Sequence, residues 1–300
     1  MRIGTRASAL ALAQATWVAE RLQAAGTSCE LVHITTSGDR GERISDKSRW
    51  VSELERALLA GEIDVAVHSA KDVPSELAEG TELSAIPARE DPRDVLCGAA
   101  SLADLPSGAR IGTSSIRRAA QLRALREDLN VVELRGNVDT RLRKLAEGEV
   151  EAIVLALAGL RRLGRTADAG GILDRLIPAA GQGALALQCR TASPAGEAVR
   201  VLTDPAAAAC VAAERDLTRA LGASCHTAVG AYATPAAARA DGAAGEVWLT
   251  AWVGLPDGSE WMSDGLAGPP HEVGGEVARR LLAVGAGDLL ARADLVQGAA

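Results

Sequence analysis

Phenylalanine is absent from the 300 residues, tyrosine occurs once and tryptophan five times. The cores must therefore be built from Leu, Val, Ile and Ala, and with 48% hydrophobic residues there is material for two or three domains of ordinary size. No apolar run approaches the roughly 18 residues of a membrane span, and Met1-Arg2-Ile3-Gly4-Thr5-Arg6 opens without an apolar signal region. A soluble cytoplasmic protein is the expectation. Cysteine is also scarce: Cys29, Cys97, Cys189, Cys210 and Cys225 are odd in number and widely spaced, with no C-x-x-C pair. This pattern excludes a disulfide framework and points away from a zinc or other metal site.

Four of these cysteines lie beside apolar residues and read as small buried hydrophobes. Cys225 differs, because Gly222-Ala223-Ser224-Cys225-His226 is a small-residue turn after an amphipathic helix. It is the candidate for a covalent anchor.

Charge is unevenly placed. Although the chain carries a net −7, the segment from Arg110 to Arg165 holds twelve bases against seven acids, a local excess of five positive charges in an otherwise acidic protein. A localised cationic segment suits an anionic ligand better than nucleic acid, whose binders show a broader basic field. Arg123, Arg126, Arg143 and Arg165 read as solvated helix faces. Arg117, Arg118, Arg135 and Arg141 fall at strand-to-helix junctions, where backbone donors and helix N-termini also favour anions.

The pattern alternates strand and helix. Strand 1–5 leads into a helix opened near Ser8, with apolar positions Leu10, Leu12, Ala13, Trp17, Val18 and Leu22. Strand 31–35, helix 51–59 and the apolar run 63–67 follow. That run reads as a buried strand, with chemistry expected just past its end at Lys71 and Asp72. A second block contains strand 110–112, a helix opened by Thr113-Ser114-Ser115, strand 131–134, helix 138–145 and strand 152–157. The run 184–187 is a strand returning to the first domain. Gly181 and Gly183 precede it, but without a third glycine or acidic partner they suit a hinge better than a dinucleotide loop. Beyond Pro205 come helix 206–221, strands 229–234 and 247–253, a Pro256-Asp257-Gly258 turn and a helical segment 272–293, an antiparallel sheet with helices on one face.

Five successive motifs carry a family resemblance: Val67-His68-Ser69-Ala70-Lys71-Asp72-Val73-Pro74, Glu90-Asp91-Pro92-Arg93-Asp94, Gly112-Thr113-Ser114-Ser115-Ile116-Arg117-Arg118, Leu134-Arg135-Gly136-Asn137-Val138-Asp139-Thr140-Arg141-Leu142 and Ala180-Gly181-Gln182-Gly183-Ala184. In order and spacing they resemble the porphobilinogen deaminases, or hydroxymethylbilane synthases. The resemblance implies two α/β domains like those of periplasmic binding proteins, 1–92 with 181–203 and 93–180, and a smaller α+β domain, 204–300. It implies a transferase of tetrapyrrole biosynthesis, acting as a cytoplasmic monomer. A dipyrromethane cofactor would be held by a thioether to Cys225, and four porphobilinogen molecules would be joined to it head to tail with loss of ammonia before water releases the linear tetrapyrrole.

The resemblance also assigns residues. Asp72 is the catalytic carboxylate, stabilising cationic pyrrole species and mediating proton transfer. Lys71, Asp72, Thr113, Ser114, Ser115, Arg117, Arg118 and Arg135 bind the cofactor. Arg6, Ser8, Arg135, Arg141, Arg162, Gln182 and Lys47 bind substrate. Each porphobilinogen brings two carboxylates, and the arginine fork suits them because it binds in two-point fashion and keeps its proton. A non-catalytic solute-binding protein would share the architecture of the first two domains but require neither Cys225 nor Asp72. A nucleic-acid regulator would require a recognition motif.

Overall fold

A computed structural model describes residues 1–34, 48–223, 227–236 and 245–298. In chain order the first elements are β1 (Arg2–Thr5), α1 (Ala9–Ala24), β2 (Glu30–His33), α2 (Ser48–Leu59), β3 (Val65–Ser69) and β4 (Thr81–Ala85). Then come β5 (Asp94–Cys97), β6 (Arg110–Gly112), α3 (Ile116–Leu125), β7 (Asn130–Val132), α4 (Val138–Ala146), β8 (Ala152–Ala156), α5 (Leu157–Arg162) and β9 (Gly171–Ile172). The rest are β10 (Leu185–Arg190), α6 (Pro194–Val199), α7 (Pro205–Ala220), β11 (Ala228–Pro235), β12 (Val247–Gly254), β13 (Trp261–Gly268), α8 (Val273–Ala283) and α9 (Ala286–Gly298). They form two compact units, Met1–Glu90 with Gly183–Ala208, and Asp91–Gln182 with Ala209–Ala300.

The first unit is built on a five-stranded sheet of order β2-β1-β3-β10-β4. β1 runs parallel to β2 and β3, whereas β10 is antiparallel to both β3 and β4. Val65, Ala66 and Val67 are all buried, which is why this stretch reads as a continuous apolar run rather than an alternating one. α1 is capped by Ser8, whose Oγ accepts the Ala11 N–H at 3.3 Å. Its buried face is Gln14, Ala15, Val18, Ala19 and Leu22. Of the positions expected to be apolar contacts, Val18 and Leu22 are buried. Leu10, Leu12, Ala13 and Trp17 are only half-buried.

In the second unit the sheet order is β7-β6-β8-β5-β9, with β6 parallel to β7 and β8, and β5 antiparallel to β8 and β9. β7 ends at Val132, two residues before the expected boundary, because the chain turns into Gly136, whose φ of +125° suits glycine. Asn137 then caps α4, its Oδ1 accepting the Thr140 N–H at 2.9 Å. The same unit contains the antiparallel sheet β11-β12-β13. Val247, Leu249, Ala251 and Val253 of β12 pack in one core with Val273, Val277 and Leu281 of α8 and Leu289, Leu290 and Ala293 of α9. The helical segment expected over 272–293 is two helices, broken at Gly285 (φ +105°).

Candidate active site

The end of β3 is where the first unit gathers its chemistry. The Ala70 N–H donates to Ala184 O at 3.0 Å, carrying the β3–β10 pairing one residue past the strand before a single 3-10 turn, Ala70–Asp72, takes over. Asp72 then lines a small cavity of about 80 Å³ with Arg6, Ser8, Gln14, His68 and Ser69, closed by apolar side chains including Val51, Leu54 and Val67. The structure thus brings together Asp72, Arg6 and Ser8, three residues named from the sequence for one site. Arg6 follows directly on β1 and Ser8 is the helix cap, so all three sit at the C-terminal ends of adjacent parallel strands, the usual place for a site in such sheets. Lys71 is half-buried in the same turn. Lys47 lies outside the described residues.

Behind the cavity runs a buried polar chain that the sequence reading did not identify. His68 Nε2 meets Gln188 Oε1 at 3.0 Å, and Gln188 Nε2 donates to Glu55 Oε1 and Thr81 Oγ1, each at 2.8 Å. Glu55 Oε1 also accepts the Ala78 N–H at 3.1 Å. Burial pushes the His68 pKa down to about 4, outweighing the hydrogen bond to Gln188 and the nearby charges of Glu55 and Asp72, which favour the cation. His68 stood inside a recognised motif, but nothing in its spacing connects it to Gln188, 120 residues away.

In the second unit, Thr113, Ser114 and Ser115 join β6 to α3. Ser115 caps the helix by accepting the Arg118 N–H at 3.4 Å, and Thr113 is buried with its Oγ1 taking the Ser115 N–H at 3.1 Å. Arg117 and Arg118, in the first turn, are buried against one carboxylate, Asp94, which is itself fully buried. Arg117 reaches Asp94 Oδ2 at 2.9 Å and Ile177 O at 2.7 Å. Arg118 reaches Asp94 Oδ1 at 2.7 Å and Val154 O at 3.0 Å. Burial alone would raise the Asp94 pKa, but the two guanidiniums hold it far below the usual carboxylate range. Two cations against one anion leave a buried excess of positive charge, and Arg117 Nε has no hydrogen-bond partner.

Arg141, in α4, is placed differently. Its Nε donates to Gly136 O at 2.8 Å and its Nη2 to Ser114 Oγ at 2.7 Å, both neutral. Burial, and then the charge of Arg118, pull its pKa down to about 10. A guanidinium so held is suited to receive an anion. Arg135 is exposed and paired with Glu133 at 2.6 Å, and Arg162 ends α5. Gln182 is buried, donating to Pro92 O at 2.6 Å and Asp94 Oδ1 at 2.8 Å, so it fastens the end of its segment to the start of β5.

Arg123 and Arg126 are not the solvated residues that the helix pattern suggested. Arg123 donates to Pro256 O and Val131 O, and Arg126 to Leu102 O and Leu105 O as well as Asp128. Arg143 does sit on an exposed helix face, paired with Glu147, whereas Arg165 lies past the end of α5, half-buried and paired with Asp168. Asp94 and Glu214 were missed as anchors. Glu214, fully buried on α7, accepts the N–H groups of Gly181 and Ala233. Cys97, Cys189 and Cys210 are buried, Cys29 is half-buried, and these four are free thiols. Cys225 lies outside the described residues, in the segment between α7 and β11. No cluster of metal-ligating side chains occurs among the described residues, and no helix among them is long and apolar enough to cross a membrane.

Two family models match the chain: "Porphobilinogen deaminase, dipyromethane cofactor binding domain" over residues 1–197 and "Porphobilinogen deaminase, C-terminal domain" over residues 208–283. The porphobilinogen deaminase of Thiobacillus denitrificans is 46% identical, across 95% of this chain and 96% of that protein. Those of Rubrobacter xylanophilus and Deinococcus radiodurans are 48% and 44% identical, each covering 96% of this chain and 95% and 97% of their own lengths. The chain belongs to the porphobilinogen deaminase family, transferases of tetrapyrrole biosynthesis with a dipyrromethane cofactor.

Proposed function

We propose that this enzyme condenses four porphobilinogen molecules head to tail, with loss of ammonia, onto a dipyrromethane held by a thioether to Cys225, and releases linear hydroxymethylbilane by hydrolysis. The observation that carries the site assignment is the cavity at the end of β3, where Asp72 shares walls with Arg6 and Ser8. Asp72 is the catalytic carboxylate in this reading. A fixed negative charge near a pyrrole nitrogen stabilises the cation that develops there and takes or returns its proton. Arg6, Arg135, Arg141, Arg162, Lys47 and Ser8 bind substrate carboxylates, with Gln182 as a further contact.

The second-unit residues fit a polyanionic cofactor. Arg141 has only neutral hydrogen-bond partners, Arg117 has an idle buried N–H, and the excess charge around Asp94 calls for an anion. Lys71, Asp72, Thr113, Ser114, Ser115, Arg117, Arg118 and Arg135 would hold it, and when bound it supplies the pyrrole to which substrate is joined. Arg117 and Arg118 act through the positive charge that Asp94 leaves uncancelled, since many of their donors are already engaged. The proposal includes three domains bounded near residues 92, 180 and 203, supported by three sheets, and a monomer working in the cytoplasm.

Intact mass and peptide mapping test it. The native enzyme should carry two linked pyrroles on Cys225, and Asp72→Asn should keep that adduct while porphobilinogen turnover falls by ~10² to 10⁴. An adduct on Cys29, Cys97, Cys189 or Cys210, or near-normal turnover by the Asn variant, would overturn the assignment.

A further inference from the structure

The cavity is lined by groups of opposite chemical character. Arg6 offers donors and positive charge, while Asp72 offers a carboxylate. The buried chain behind it determines what His68 adds. Gln188 spends its amide N–H groups on Glu55 and Thr81, so its Oε1 can only accept, and the proton between Gln188 and His68 must belong to His68 Nε2. Imidazole carries one proton when neutral, so Nδ1 is then left as a lone pair. His68 is one of the residues that line the cavity, and with Nε2 committed to Gln188, Nδ1 is the ring nitrogen left to face it.

We infer that the Gln188–Glu55–Thr81 network fixes His68 as the Nε2–H tautomer, so that Nδ1 acts beside Asp72 as a hydrogen-bond acceptor for a pyrrole N–H of the bound ligand. This rests on the reading of the cavity as a porphobilinogen site. It gives that site a way to orient a molecule bearing both kinds of group. A carboxylate brought against Asp72 and His68 Nδ1 meets two acceptors and is repelled, whereas an N–H is received by either. The ligand's carboxylates are directed instead to Arg6. Orientation thus comes from an unfavourable contact in the wrong placement as well as a favourable one in the right. Burial suits His68 to this task, because its low pKa keeps Nδ1 an acceptor throughout the neutral range.

The test uses the holoenzyme with ¹⁵N-labelled histidine and porphobilinogen itself. The His68 Nδ1 resonance should be of the unprotonated type at pH 7 and should move toward the hydrogen-bonded position on adding porphobilinogen. His68→Gln keeps a donor at the Nε2 position but loses the Nδ1 acceptor, and kcat/KM should fall roughly ten-fold. His68→Asn, which restores an acceptor near the Nδ1 position, should recover part of that loss. A protonated Nδ1, an Nδ1 signal indifferent to porphobilinogen, or His68→Gln with unaltered kcat/KM would each overturn the inference while leaving the proposed reaction intact. The wild-type spectra decide the matter even if a variant fails to fold. A wild-type chain that neither carries the dipyrrole nor consumes porphobilinogen would overturn the functional reading itself, and the ligand assignment of Nδ1 with it.

Discussion

Arg118 and Arg141 begin alike, each near the start of a helix that follows a strand of the same sheet, and they end differently. Arg118 is matched by a buried carboxylate within its own unit, with Nε and Nη2 both on Asp94 Oδ1. Arg141 is held by a carbonyl and a hydroxyl, which fix its direction but leave its charge unanswered. The difference separates an arginine tied into the fold, which acts on a ligand only through the charge it shares with Arg117, from one whose donors and charge are set out for a ligand directly. Sequence position does not distinguish them, because the deciding residue, Asp94, lies 24 positions before Arg118.

Breaking the matched side should have the largest effect on stability. Asp94→Asn leaves Arg117 and Arg118 buried without a counter-charge, and loss of one partner from such a group costs about 3 to 5 kcal/mol. Urea denaturation measures this directly. The pH dependence sharpens the test, since a folded-state pKa below the unfolded value means that the unfolded chain binds the extra proton first. Asp94 therefore contributes fully above the ordinary carboxylate pKa, and its contribution is lost as pH falls from there toward the depressed folded value. In the Asn variant that part of the acid sensitivity should vanish. A variant as stable as the wild type would show that Asp94 is not the counter-ion on which the cluster depends.

Breaking the unmatched side should leave stability nearly untouched and reduce activity. Arg141→Leu removes a charge that no carboxylate among the described residues answers, so its urea midpoint should stay close to the wild type. Losing a charge-assisted hydrogen bond to substrate or cofactor costs about 1.5 to 3 kcal/mol, a loss of ten-fold to somewhat over a hundred-fold in kcat/KM. Arg117→Leu should instead lower the midpoint. If both variants shift stability and activity by the same proportion, the contrast between matched and unmatched arginines is false.

Much of the fold was legible because it rests on local patterns. The apolar run of β3, the hydroxyl cap before α3 and the glycine turn before α4 are each written in a few consecutive residues. β13 was not legible, because Ser263, Asp264, Gly265 and Gly268 give no alternation, and its strand character comes from pairing with β12. The gathering of Asp72 with Arg6 and Ser8 follows from adjacent parallel strands; Asp72 is marked by its place beyond a buried strand, whereas Arg6 and Ser8 are named only through the family resemblance. Buried partners across long separations had no such signal. His68 with Gln188, Arg118 with Asp94 and Glu214 with Gly181 are joined by the sheet pairings and helix packing, and a single sequence does not state those pairings.

The smallest effects belong to arginines outside both sets. Arg123 ties α3 to the β12–β13 turn and to β7 by bonds of 2.7 Å to Pro256 O and 3.0 Å to Val131 O. That turn approaches closely: a Cβ on Gly258 would lie 2.7 Å from Ala120 O. Arg123→Ala should therefore cost about 1 to 2 kcal/mol, below the usual worth of two charged hydrogen bonds because the residue is only half-buried. Arg143, whose exposed side chain pairs with Glu147 one turn away, should change stability by no more than about 0.5 kcal/mol when replaced by Ala. The two can be compared by urea denaturation in low and high salt. Salt should erase the small Arg143 effect, since it screens an exposed pair, and leave most of the Arg123 effect, which depends on two carbonyls held in place. Equal losses that disappear together in salt would return Arg123 to the solvated face that the helix pattern assigned to it.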